Sequence, residues 1–401
     1  MSINQLPTEI FVLIAAFFAK DRDLIDATAV CRHWRTILLS SSQLWCNVGG
    51  SLLKIQAYLE RSGPMPLVVN LSCPELTELI VPHTSRLVSL ALRVADPRSS
   101  FSQILGHLRH PIPTLHTLHI SGGTRELIHT VEFASDVCDA FFAHSKKLEL
   151  DGIHLFRGPP VVPDSFKPFP RVTEIVFRAS QVKIQIADLL DTLGRLPTLE
   201  RASITLGSFW HLGNPQTITL PHVQEITVQF PARGSAIPPI FGLIKLPNLT
   251  SLRLQGIASS AGICNPIFPA EPFGEYLPNL ANLPELQVSV NTTSIEFAFR
   301  NPQAVFSCVT HRAFQFFRDP EVIWGTLPLH TVRRLVVDVW DPSGGVGDEW
   351  FVELLRDLVN LEHLEFGGEC PDVVQLLCRF AMWGELPVPI QTLVERVIGE
   401  E

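Results

Sequence analysis

A chain of 401 residues that is 46% hydrophobic and 18% charged can bury a large core, which excludes a wholly disordered polymer. Its net charge of −9, with no run of Lys or Arg, gives no general attraction for phosphate backbones or anionic lipid. Nucleic acid and membrane surfaces are therefore not expected as partners, and the length leaves room for several domains or one elongated repeat array.

The first pattern is "LPTEIFVLIAAFFAKDRDLIDATAVCRHWRTILLSSSQLW", residues 6–45. Leu6, Ile10, Leu13, Ile14 and Phe17 recur at helical spacing, which predicts one apolar helix face. Pro7 suits the first helical position, where its missing N–H is no loss, and Glu9 in the first turn favours the helix dipole. The run "IFVLIAAFF" falls well short of the ~20 residues that span a bilayer, and no basic segment precedes it, so neither a membrane span nor a secretory signal is predicted. After "AKDRD", Asp23 is read as the N-cap of a second helical stretch whose stripe is Leu24, Ala27, Cys31, Trp34 and Leu38. "LSSSQ" ends it, and Leu44 and Trp45 follow as an apolar pair. So few helical residues cannot build a sufficient core, so their apolar faces must pack on the rest of the chain or on another protein.

The order Leu6-Pro7-x-Glu9-Ile10, Ile14, Asp23-Leu24, Val30-Cys31-Arg32-x-Trp34-Arg35, Leu44-Trp45 resembles an F-box, over residues 5–48. The F-box is a short helical module that docks its proteins onto the Skp adaptor of cullin–RING ubiquitin ligases. The next segment, "IQAYLERSGPMPLVVNL", looks like the one that follows the F-box in many fungal F-box-like proteins. The resemblance implies that Leu6, Pro7, Ile10, Ile14 and Leu24 meet the Skp-type adaptor, and that Val30, Cys31, Trp34, Leu44 and Trp45 brace the module from within.

Beyond Gly50 one phrase recurs: Pro, one or two polar residues, then L-x-x-L-x-L with conservative swaps. It starts at Pro74, Pro113, Pro170, Pro197, Pro221 and Pro247, and returns without Pro at Leu329 and Leu358. The starts from Pro170 to Pro247 lie 27, 24 and 26 residues apart, within the period of leucine-rich repeats. In each phrase the last two apolar positions are two residues apart and point one way from a strand, with polar residues facing out. "IADLLDTLG" and "DEWFVELLRDL" read as helices between strands, "KKLELDGIHL" as a degenerate repeat, residues 256–278 as a long loop, and residues 300–328 as helix. Stacked strand–helix units form a solenoid.

Chemistry leaves little trace. The eight cysteines are scattered, without a CxxC pair or metal-ligand spacing, which suggests reduced thiols in a cytoplasmic or nuclear chain. His116 and His119 are three residues apart on a strand, on opposite faces, and are poorly placed to share a metal. "DPSGGVGDEW" lacks both the dinucleotide-binding and P-loop patterns and reads as a turn with Asp348 capping the next helix. No catalytic residue, metal ligand or cofactor is predicted.

The expectation is an α/β chain: a helical F-box-like module over residues 1–48, a linker helix and first strand over 49–72, and an irregular leucine-rich-repeat-like strand–helix solenoid over 73–401. A client protein would meet outward strand positions such as His119, Arg178, Arg253 and Gln255. The competing reading is a non-catalytic repeat scaffold whose N-terminal helices only cap the array. The two differ in whether Leu6, Ile10 and Ile14 are exposed in the free chain or buried against the first repeat.

Overall fold

The computed structural model describes residues 6–18, 21–73, 76–94, 112–122, 129–131, 144–155, 170–179, 184–206, 209–211, 216–229, 240–255, 276–290, 294–302, 304–311, 329–339, 354–367, 390 and 392–393. The chain forms two compact units, Met1–Thr124 with His129–Lys167, and Arg125–Ile128 with Pro168–Glu401.

The first unit opens with α1 (Thr8–Ala16), α2 (Asp21–Val30) and α3 (Arg32–Ser40), then a tight 3-10 turn, Ser42–Trp45. Two local readings of the sequence need correction. Pro7 sits one residue before α1 as its cap, and Asp23 lies inside the first turn of α2 rather than at its cap. The stripe read as one helix is also broken at Cys31, whose backbone is extended while its Sγ accepts a hydrogen bond from Trp34 N at 3.4 Å. That capping bond starts a new helix and turns the chain, as a capping side chain does.

The unit continues through β1 (Asn47–Gly49), α4 (Leu52–Arg61), β2 (Leu67–Leu71), β3 (Leu87–Val94), β4 (Thr117–Gly122) and β5 (Lys147–Asp151). These five strands pair side by side in chain order, all parallel. Alternate residues face inward: Val69, Leu90, Leu118 and Leu148 form one row, and Leu71, Leu92, Ile120 and Leu150 the next, all at most 1% exposed. Outward rows are mostly polar or small, with Val68 an exposed exception, as period-two patterning favours. The phrase from Pro74 is not a strand. Thr77–Ile80 is helical and Val81–Arg86 a 3-10 segment, and the repeat strand is β3, which carries the same L-x-x-L-x-L spacing at Leu87, Leu90 and Leu92.

The second unit contains β6 (Glu174–Arg178), α5 (Ile186–Gly194), β7 (Arg201–Thr205), β8 (Glu225–Gln229), β9 (Ser251–Gln255), β10 (Glu285–Val290), β11 (Ser294–Arg300), β12 (Val305–His311), β13 (Arg334–Val339) and β14 (His363–Gly367). Strands β6 to β9 stack in chain order, parallel and without register shift. Then the march reverses. β9 pairs with β12, β11 is antiparallel to both β12 and β10, and β10 pairs with β13, which leads to β14. The reading of residues 300–328 as helix is overturned at Val305–His311, where "VFSCVTH" holds Val305, Phe306, Val309 and Thr310, residue types that favour a strand. Helix α5 matches "IADLLDTLG" and buries Ile186, Leu189, Leu190 and Leu193. Leu354, Leu355 and Leu358 of the "DEWFVELLRDL" reading are fully buried. The Gly-rich run at residues 341–350 and residues 256–275 of the long loop lie outside the described residues.

A polar residue near the start of four of these phrases has a structural use. Thr114 Oγ1 donates to Leu87 O at 2.9 Å, Thr198 Oγ1 to Val172 O at 3.1 Å, Asn248 Nδ2 to Pro221 O at 2.6 Å, and Asn360 Nδ2 to His330 O at 2.7 Å. Each bond reaches one repeat back to a backbone carbonyl before or at the start of the previous strand. With parallel strands in register, this gives a solenoid-like arrangement within each unit.

Candidate docking surface on the N-terminal helices

Helix α1 is apolar on every side, and its two faces have different fates. Phe11, Val12 and Ala15 point inward and are at most 5% exposed. Phe11 meets Trp34 of α3 edge to face, with ring centroids 4.7 Å apart. The other face holds Ile10 at 44%, Leu13 at 56%, Ile14 at 42% and Phe17 at 86% exposure. A helix apolar all round is stable where both faces are covered, and among the described residues only one is covered. The spacing in the sequence thus marked the exposed stripe. The inward stripe was missed, although the apolar residues between Ile10 and Phe17 were the signal for it.

Pro7 is exposed and Leu6 half-buried beside this stripe. Leu24, grouped with them by resemblance, is placed in the interior at 6% exposure, on the side of α2 that also buries Ala27. Val30, grouped with the bracing residues, is 61% exposed at the end of α2. Cys31, Trp34 and Leu44 are half-buried. A groove of about 510 Å³, formed mainly by apolar surface, runs beside α1 between Val12, Leu13, the Ser41–Gln43 turn and Met65.

Trp45 is the internal brace. Its ring is fully buried, its Nε1 donates to Leu38 O at 2.9 Å, and it meets Tyr58 of α4 edge to face at 5.0 Å. The Arg61 guanidinium lies over its face at 4.7 Å. Close by, burial pushes the Cys46 thiol up, with the Arg86 guanidinium pulling against it, so the thiol stays neutral and is a poor nucleophile. Burial first, then Arg86, pushes the His83 imidazole below the ordinary histidine range.

Residues 3–49 match the F-box-like family. No curated protein matches the chain. The F-box-like domain points in general to a role as an adaptor in ubiquitin ligases of the Skp–cullin–F-box type, in which F-box proteins are typically non-catalytic and bind a Skp-type subunit.

The outward strand positions suggested for a client separate by environment. His119 on β4 is half-buried, its Nε2 enclosed and without a hydrogen-bond partner among the described residues, while His116 is exposed just before the strand. Arg178 and Arg253 are exposed on β6 and β9, and Gln255 is half-buried on β9. Among the described residues no three His, Cys, Asp or Glu are grouped to hold a metal ion, and no helix is long and apolar enough to cross a membrane.

Proposed function

We propose that this chain is the substrate-recognition adaptor of a Skp–cullin–F-box ubiquitin ligase. Pro7, Ile10 and Ile14 dock the Skp-type subunit, with Leu6 at the edge of the contact and Leu24 supporting it from behind. An irregular leucine-rich-repeat-like array of fungal type holds a client protein. The chain does no chemistry itself; it holds the client at high effective concentration beside a charged ubiquitin-conjugating enzyme.

The observation that carries this reading is the exposed stripe on α1, whose opposite face is already committed to Phe11, Val12 and Ala15. Burying each such aliphatic side chain against a partner contributes roughly 1.5–3 kcal/mol before the cost of association. An exposed apolar stripe of this kind also predicts poor solubility of the chain made alone.

One observation favours the second reading, a non-catalytic repeat scaffold capped by these helices. The Trp45–Tyr58 contact ties the helical module to α4, next to β1, as a cap would be tied. Co-purification of the Skp adaptor separates the two. The intact chain should retain it, and a Leu6→Ala, Pro7→Ala, Ile10→Ala variant should lose it while melting normally. Absence of binding by both chains, with a much lower melting temperature for the variant, would instead identify a structural cap.

A further inference from the structure

The outward face of the second unit is a grid set by strand register. Its middle row runs Ser203, Thr227, Arg253, Ser307 from β7 through β8 and β9 to β12. Arg253 is the one long side chain in that row of small hydroxyl residues. Ser251 and Gln255 flank it on its own strand, and Gln229 faces Gln255 across β8.

Two other arginines of this face are paired where they stand, while Arg300, at the end of β11, is exposed and unpaired among the described residues. Arg201 Nη2 is 3.5 Å from Glu174, and Arg334 is 2.6 Å from Glu365 and 3.4 Å from Glu285. Arg253 is exposed and has neither a hydrogen bond nor an ion pair among the described residues. Glu225 stands one strand and one row away and makes no ion pair with it.

A guanidinium presents five donors in a planar fork that matches a carboxylate with two parallel hydrogen bonds. The short side chain of Thr227 leaves room for a partner's side chain to reach it from the β8 side, Ser307 on the β12 side being buried, and the amides of Gln229 and Gln255 can bond the backbone beside it. One cation in neutral surroundings balances a single negative charge. A phosphate dianion would keep excess charge near Glu225, and the arginines nearest by register, Arg201 on β7 and Arg300 on β11, each stand two strands from Arg253.

We propose that Arg253 anchors an Asp or Glu side chain of the client, on an extended segment lying across β7, β8 and β9. This rests on the reading of the repeat sheet as the client-binding surface. A single phosphorylated residue and a neutral segment are the outcomes it excludes.

The test uses the full chain and an array of short peptides of varied neutral sequence, each bearing one Asp or Glu, with Asn, Gln and phosphoserine counterparts. The intact chain should retain acidic peptides, and their amide and phosphoserine counterparts should bind at least about tenfold more weakly, the loss expected for one charge-assisted pair. Arg253→Glu should lose the acidic peptides and gain Lys- or Arg-bearing ones, and Arg253→Lys, which keeps the charge without the fork, should weaken acidic binding only in part. The proposal is overturned if Arg253→Glu retains the same acidic peptides, if phosphoserine peptides bind best, or if no acidic peptide is enriched. Adaptor co-purification from the same preparations reports separately. Adaptor bound without acidic enrichment sinks the Arg253 anchor alone, and Arg253-dependent acidic binding without adaptor sinks the ligase assignment alone.

Discussion

Replacing Trp45 by Ala should release the N-terminal helices from α4. The ring is fully buried, braced on Tyr58, and bonded through Nε1 to Leu38 O at 2.9 Å. Removing roughly 150–250 Å² of ring surface at about 25 cal/mol per Å² gives about 4–6 kcal/mol. Aromatic truncations in cores fall at about 3–5 kcal/mol, so about 4 kcal/mol is expected, a large share of the ~5–15 kcal/mol typical of a folded protein. Trp45→Phe keeps a ring against Tyr58 and loses chiefly the bond to the Leu38 carbonyl, which should cost about 1–2 kcal/mol. Because the chain has two compact units, a global unfolding signal would mix them. The assay is therefore amide hydrogen exchange at α3 and α4 across a urea series, with each variant referred to the parent. An alanine variant within about 1 kcal/mol of the parent, or a phenylalanine variant as damaged as alanine, would refute Trp45 as the brace.

Breaking the bonds that link successive turns should weaken the second unit locally. Thr198→Val and Asn248→Leu each remove a bond to the previous repeat, at Val172 O and Pro221 O, and should cost about 1 kcal/mol apiece by amide hydrogen exchange in the second unit, with no change if water takes over the carbonyl. Acidification should destabilise the first unit through His83. Its folded pKa lies below the unfolded value of about 6.5, so the unfolded chain takes up the proton first as pH falls below that point, and stability drops. His83→Gln should reduce the fall in melting temperature between pH 7.5 and 5.5, and an unchanged fall would assign it to other groups.

Strands were legible at most places where L-x-x-L-x-L followed a Pro and a polar residue, because period-two burial acts locally. The phrases from Pro113, Pro197 and Pro247 lead into β4, β7 and β9. Pro74 misled because "PELTELIV" also fits a helical turn, and β3 lies where the spacing is repeated at Leu87, Leu90 and Leu92. The reversal at β10 to β12 was not legible, since nothing local says which neighbour a strand will choose. On the candidate surface, spacing found Ile10, Ile14 and Phe17 on one face of α1. It could not say whether that face or the one with Phe11 and Ala15 turns inward, which depends on Trp34 arriving from α3. Leu24 and Val30 likewise differ in burial because the chain turns at Cys31, a break set by one capping bond.

The measurement that bears most directly on the docking of α1 is adaptor affinity and melting temperature determined together for Ile14→Glu. Ile14 is 42% exposed on the outward stripe, so a charge there is solvated in the free chain and would be buried in the proposed complex. The expected result is an affinity loss of at least about tenfold, about 1.4 kcal/mol, with an unchanged melting temperature. A variant that melts far lower, or one that binds the adaptor as tightly as the parent, would contradict a docking role for this face.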